Sequence, residues 1–401
     1  MSSPSRVRVS GPLEPYVARF RDELKRLGYR PNAVSSQLQL MAHLSRWLEQ
    51  QRLVLSELTR QQLDEFLVDR RAEGYTMWLS PKALVPMLGV LRRLGVVPDA
   101  AAAVPETAAD ELIEAFSSYL TSERGLAAGT VVGYVFVARL FLGARSGDID
   151  MAGLTAAEVT QFVLSEITDR SVGSAQSVAC GLRAFLRFAY VTGRTGNQLD
   201  AAVPKVASWR LSRVPRSISP TDVAALLGSC DRRSSFGRRD YAAMVLMVRL
   251  GLRSGEVAAL ELSDIDWRAG EIVVRGKGNR VERLPLPVDV GEALAGWIRR
   301  GRPRCETRRV FTRIRAPHRG LSVGGVGNLV KAAALRADLD GVNAHRLRHT
   351  AATQMLSSGA DLIEIGQVLR HTSVLTTAIY AKVDDQSLRP LALRWPVGAG
   401  S

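Results

Sequence analysis

Two stretches of the chain carry no helical or strand period, and their positions limit how many cores it can build. The first, VVPDAAAAVPETAAD over Val96–Asp110, holds an alanine run between prolines; the second, PKVASWRLSRVPRSISP over Pro204–Pro220, is basic and punctuated by prolines. Proline fixes φ and supplies no backbone N–H, so prolines without an apolar period between them read as linkers. They cut the 401 residues into 1–98, 110–200 and 215–390, with 391–401 left as a tail. Such a length is long for one core, and a prior of roughly 150 residues per domain agrees with two or three.

The first two segments read as copies of one another. LGYRPNAVSSQLQLMAHLSRWL followed by LSELTRQQLDEFL has its counterpart in RGLAAGTVVGYVFVARLFL followed by MAGLTAAEVTQFV. Gly28 aligns with Gly125, and after a one-residue slip Leu58, Thr59 and Phe66 align with Leu154, Thr155 and Phe162. In each copy the threonine is placed to cap a helix whose apolar residues recur at spacings of three and four. Each segment is therefore expected to be a bundle of about four helices, with chance similarity of two helical segments as the alternative.

The third segment changes character. SPTDVAALLGSC opens with Ser219 as N-cap, Pro220 at the first helical position and Asp222 in the first turn, a strong helix start. A helix through YAAMVLMVRLGLR follows. GEIVVRGKGNRVERLPLP then alternates and breaks at Gly276-Lys277-Gly278-Asn279, which predicts a β-hairpin. Further helices are expected near 322–337, 345–357, 361–369 and 373–380. The fold class is thus mostly α with a small antiparallel β-sheet in the C-terminal domain, preceded by N-terminal helical bundles.

Charge narrows the partner. Lys plus Arg number 54 against 39 Asp plus Glu, giving +15 and a pI near 10.4; such an excess favours a polyanion, nucleic acid ahead of an acidic membrane surface. Between Arg275 and Arg319 the imbalance is 13 to 4, including RRGRPRCETRR over Arg299–Arg309. With 46% hydrophobic and 23% charged residues, the chain is globular rather than disordered. Cys180, Cys230 and Cys305 are odd in number and in no ligand spacing, so neither a disulfide framework nor a zinc site is supported. No apolar run reaches the roughly 18 residues of a membrane span and none follows the basic start, so a cytoplasmic location is expected.

The chemistry concentrates near NAHRLRHTAATQML, Asn343 to Leu356, where two histidines and two arginines crowd the start of an apolar helix. His345 and Arg348, three apart, share a helical face. His345 and His349 imitate a metal pair, but Arg346 stands where a zinc protease has glutamate, and a cationic neighbourhood repels a dication. Arg253 lies in LGLRSGE between a long helix and a short one; read alone it is equally a helix C-cap paired with Glu256. Lys277 sits at the hairpin tip, where a solvated loop lysine is the ordinary reading. His371 precedes a helix start and reads equally as a capping or core histidine, and Tyr380 as an amphipathic helix residue.

Taken in order, LGLRSGE, GKGN, HRLRH and LRHTSVLTTAIY resemble the catalytic segment of the tyrosine recombinases, the phage-integrase family, over about 170 residues at the C-terminal end. The resemblance implies a site-specific DNA recombinase or integrase working through a covalent 3′-phosphotyrosine. Arg253 and Arg348 would be its paired arginines, Lys277 the general acid on the hairpin, His345 and His371 the two histidines, and Tyr380 the nucleophile. It implies no metal and no cofactor. Segment 110–200 resembles the family's SAM-like core-binding domain, and 1–98 would be an accessory domain for DNA binding or assembly. Double-stranded DNA and further protomers in a tetrameric synapse are the expected partners, with partner recombinases left open. Two positions depart from the pattern: Arg370 stands where glycine is common, and Leu250 where threonine is more usual. A type IB topoisomerase and a catalytically idle DNA-binding protein of the same fold are the alternatives. The residue chemistry agrees with the leading reading. Two guanidiniums can fork around one phosphodiester, a positive pocket favours a phenolate, and Tyr380 is the only tyrosine after His345.

Overall fold

The structure is a computed structural model and describes residues 7–98, 107–145, 151–207, 216–276, 280–370, 377, 379 and 380. Contacts divide the chain into two compact units, Asp99–Arg210 and a larger one joining Met1–Pro98 to Leu211–Ser401. Among the described residues, three larger apolar cores lie in 7–98, 107–207 and 216–347, and a small fourth cluster gathers Ala352, Ile365, Leu369 and Tyr380.

The first core is built by α1 (Val17–Arg26), α2 (Pro31–Gln50), α3 (Arg60–Ala72) and α4 (Pro81–Arg93). Prolines open α2 and α4, where the missing N–H has no intrahelical partner to lose. Thr59 caps α3 in a reciprocal box with Gln62. Trp47 is a core residue, edge-on to Phe66, with its indole N–H donating to Asp69 at 2.8 Å.

The smaller unit repeats this plan with α5 (Ala108–Ser118), α6 (Ala128–Gly143), α7 (Ala156–Ile167) and α8 (Val172–Val191). Thr155 caps α7 in a box with Glu158, and Gly125 has the same left-handed backbone as Gly28, φ 57° against 83°. Phe116, Phe141, Phe185 and Phe188 fill the centre at tilted and edge-on angles.

The C-terminal segment is organised round α10 (Ser235–Leu250), whose residues from Ala242 to Val248 are all buried. A helix apolar on every side must be wrapped by others, and α12 (Val288–Arg300), α13 (Val323–Arg336) and α14 (Ala344–Ser357) supply the wrapping. Ahead of it runs α9 (Pro220–Gly228), capped by Ser219 as the sequence predicts; after it come the short α11 (Ser254–Ala259) and, later, α15 (Leu362–Val368). The expected hairpin forms from β2 (Glu271–Arg275) and β3 (Val281–Pro285), but the antiparallel sheet has a third strand, β1 (Ile265–Asp266). Two residues are too few to show an alternating pattern. Of the helix expected near 373–380, only residues 377, 379 and 380 are described, the last two in a short helical turn.

Candidate active site

The site starts at the end of α10. Gly251 closes that helix in the left-handed region at φ 60°, and a Cβ there would lie 2.4 Å from Leu369 Cδ2. Both demands favour glycine. Two positions on, Arg253 is extended and begins α11, so it is not the C-cap that its sequence neighbourhood also allowed; Gly251 has that role. Its pairing with Glu256 does form. The buried Glu256 carboxylate accepts the Arg253 backbone N–H and the Arg253 guanidinium, each at 2.8 Å. The guanidinium side remains 41% exposed while Glu256 is 4% exposed, so the charge faces outward from a fixed base.

The second arginine comes from α14. Asn343 caps this helix by accepting the N–H groups of His345 and Arg346 at 3.0 and 3.1 Å, which fixes the turn carrying His345 and Arg348. Arg348 is buried and donates to Gly251 O at 2.6 Å and to Leu369 O, joining the end of α10 to the end of α15. Burial, with Arg253 nearby, pushes its guanidinium down to about 10, which still leaves it charged at neutral pH. Burial, then Arg348 and Arg253, likewise lower the His345 imidazole.

Tyr380 is 1% exposed, packed with Ala352, Ile365 and Leu369. Its hydroxyl lies 2.8 Å from His349 Nδ1. Burial pushes the phenol up to about 12, opposed by the positive charges of Arg348 and Arg253. Burial, helped by His345 and Arg348, drives the His349 imidazole down to about 4. Both groups are therefore neutral near pH 7, and the phenol O–H can donate to an unprotonated Nδ1. Sequence reasoning did not find this role for His349; its one signal was a place one turn after His345, which was weighed only as a metal pair.

The structure thus brings Arg253, His345, Arg348 and Tyr380 to one place. Lys277 and His371 lie outside the described residues. The described part of the hairpin closes through a Gly276 N–H to Arg280 O bond of 2.8 Å, and a Cβ on Gly276 would lie 3.9 Å from Glu256 Oε1. Arg370, the departure noted in the sequence, turns inward and pairs with Glu256 at 2.7 Å.

Residues 216–387 match the phage integrase family. An integrase/recombinase of Sinorhizobium fredii is 42% identical over 397 residues, covering 96% of this chain and 95% of its own length. The chain belongs to the phage integrase family. Another relative of this phage integrase family member, the tyrosine recombinase XerD of Mycobacterium tuberculosis, is 32% identical over 297 residues, 69% of this chain and 94% of its own length. Two solved structures share the fold. A lambda integrase dimer bound to a COC′ core site has a TM-score of 0.54 at 19% identity, and the Tn1549 transposon integrase with circular intermediate DNA 0.51 at 14%; each match covers 67% of this chain and 94% of the other. As a member of the phage integrase family, the chain is a tyrosine recombinase.

Proposed function

We propose that this chain is a site-specific recombinase that breaks and rejoins DNA strands through a covalent 3′-phosphotyrosine at Tyr380. One observation carries the assignment of roles: the Tyr380 hydroxyl lies 2.8 Å from a neutral imidazole on the helix that also carries Arg348, in the field of two guanidiniums. Arg253 and Arg348 stabilise the extra negative charge that develops on the phosphodiester oxygens, a role suited to planar donors that stay charged. Tyr380 Oη attacks the phosphorus and its proton passes to His349 Nδ1. The P–O5′ bond breaks, and the departing 5′-oxygen takes a proton from Lys277. His345 assists proton transfer, and His371 donates a hydrogen bond to a phosphate oxygen. Rejoining is the reverse, with a 5′-hydroxyl attacking the phosphotyrosine, so the bond energy is conserved without ATP or metal. In the DNA-free site, transfer from a phenol near 12 to an imidazole near 4 is steeply uphill.

The rest of the chain grips the substrate. The +15 charge and the basic stretch from Arg275 to Arg319 favour contacts to phosphates. In that stretch Arg302 and Arg309 also bond backbone carbonyls, so they shape the loop as well as charge it. Segment 110–200 acts as the core-binding domain, 215–390 as the catalytic domain, and 1–98 lengthens the footprint or aids assembly. The working form is an oligomer on DNA, as in the lambda integrase tetramer bound to a Holliday junction. Among the described residues no helix is long and apolar enough to cross a membrane, and the enzyme acts in the cytoplasm, in the service of a mobile element.

The test is covalent trapping. Sheared DNA of the source genome, nicked so that a short cleaved strand diffuses away, is incubated with the protein, denatured, and the protein-linked ends are sequenced. Wild type yields adducts at a recurring sequence and Tyr380→Phe yields none. Adducts that persist in Tyr380→Phe remove the assignment.

A further inference from the structure

Arg370 follows α15 in the left-handed region, φ 55°, a conformation that a side chain disfavours. Its guanidinium is nonetheless buried, with the pair to Glu256 only 4% exposed on either side. Nη2 donates to Glu256 Oε2 at 2.7 Å and Nη1 to Val368 O at 2.8 Å. Glu256 therefore stands between two arginines. Oε2 accepts Arg370 and the Arg253 backbone N–H, and Oε1 accepts the Arg253 guanidinium. A buried carboxylate with one cation draws that cation fully onto itself; with two, the pull is shared.

On the proposed recombinase reading, we propose that Arg370 is a positioning residue for Arg253: by neutralising Glu256 from the protein side, it leaves the outer guanidinium able to turn to the scissile phosphate. Arg370 touches no reacting atom itself. The charged groups round Glu256 are Arg253 at the start of α11, Arg370 after α15 and, at longer range, Arg348 on α14. Against burial, which raises it, Arg370 and Arg253 hold the Glu256 carboxyl below its ordinary range. Removing Arg370 takes away the larger of these two charge effects. The carboxyl then protonates at a higher pH, and its competing pull on Arg253 is released there.

The experiment measures single-turnover adduct formation at saturating protein on a nicked duplex carrying the sequence recovered above, from pH 5 to 9, together with the dissociation constant for the same duplex. Arg370→Gly accepts the backbone angle but removes one partner of a buried pair, so a thermal melt first establishes that it is folded at the assay temperature. It is expected to slow cleavage at neutral pH by about tenfold to a hundredfold, the scale of a small misplacement of a reacting group, to change duplex affinity less than about threefold, and to show a smaller defect toward the acid end, where Glu256 protonates. Arg370→Lys keeps the charge and is expected to hold the wild-type pH profile and recover part of the rate. Adding Glu256→Gln to Arg370→Gly removes the competing carboxylate and is expected to recover part of the rate at neutral pH. Wild-type adducts alongside an Arg370→Gly protein with the same rate and the same pH profile overturn this inference alone. A wild type that forms no adduct on any fragment overturns the recombinase reading, and this inference with it.

Discussion

Packed against Tyr380, the His349 imidazole takes a proton only near pH 4, whereas its ordinary value is 6.5. The cause is first burial, then the neighbouring His345 and Arg348. Between those two values the unfolded chain binds more protons than the folded one, so stability falls as pH falls through this window. The effect fades out above about pH 7.5 and amounts to roughly 3 kcal/mol by pH 4. Thermal unfolding of His349→Gln is expected to show a smaller drop between pH 7.5 and pH 5 than wild type; equal drops in both proteins would mean that the imidazole is not held neutral. At this scale the sequence marked what carries its chemistry in its own identity. Arg253 and Arg348 are charged wherever they sit, and no tyrosine competes with Tyr380 after His345. His349 and Arg370 were not legible in the same way. The significance of each comes from one partner, Tyr380 or Glu256, that folding brings from a distant part of the chain.

Helix starts were the most legible elements, because an N-cap side chain is a local device. Thr155 accepts the Glu158 N–H at 3.3 Å, while Glu158 accepts the Thr155 N–H at 2.8 Å and its hydroxyl at 2.7 Å. The same box at Thr59 and Gln62 opens the corresponding helix of the first bundle. Thr155→Ala is expected to destabilise its unit by about 1 kcal/mol, at most about 2, and Thr155→Ser to be close to neutral. A melt in which the alanine variant matches wild type would show that α7 is held by packing alone. Elements ordered by distant contacts left no such mark. β1 is defined by pairing with β2, and the loop after α12 by Trp297 Nε1 on Val310 O and Arg302 on Arg309 O. Neither has a period of its own that a sequence could display.

At the scale of the molecule, the proline-punctuated stretches gave no sign that the first bundle shares a unit with the third segment. The contact that joins them rests on Gly28. Its aligned partner Gly125 shares the left-handed backbone, but a Cβ there would have nothing within 4 Å, whereas a Cβ on Gly28 would fall 2.0 Å from His318 Cδ2. The left-handed backbone accounts for glycine at both positions, and the docking accounts for the bare Cα at Gly28. The His318 backbone N–H donates to Leu27 O at 3.1 Å, and beside it Arg26 pairs with Glu306. Cys305 lines the cleft between these residues, half-buried, while Cys180 is exposed and Cys230 buried. Thiol labelling therefore reports on docking. Wild type is expected to label quickly at Cys180, slowly at Cys305 and least at Cys230. Gly28→Val strains the turn and drives a side chain into His318, so it should speed labelling of Cys305 severalfold. Gly125→Val strains an equivalent turn without that collision and should leave Cys305 as it was. Equal acceleration by both variants would trace the effect to general loosening, and acceleration by neither would mean that this contact does not hold the first bundle against the catalytic segment.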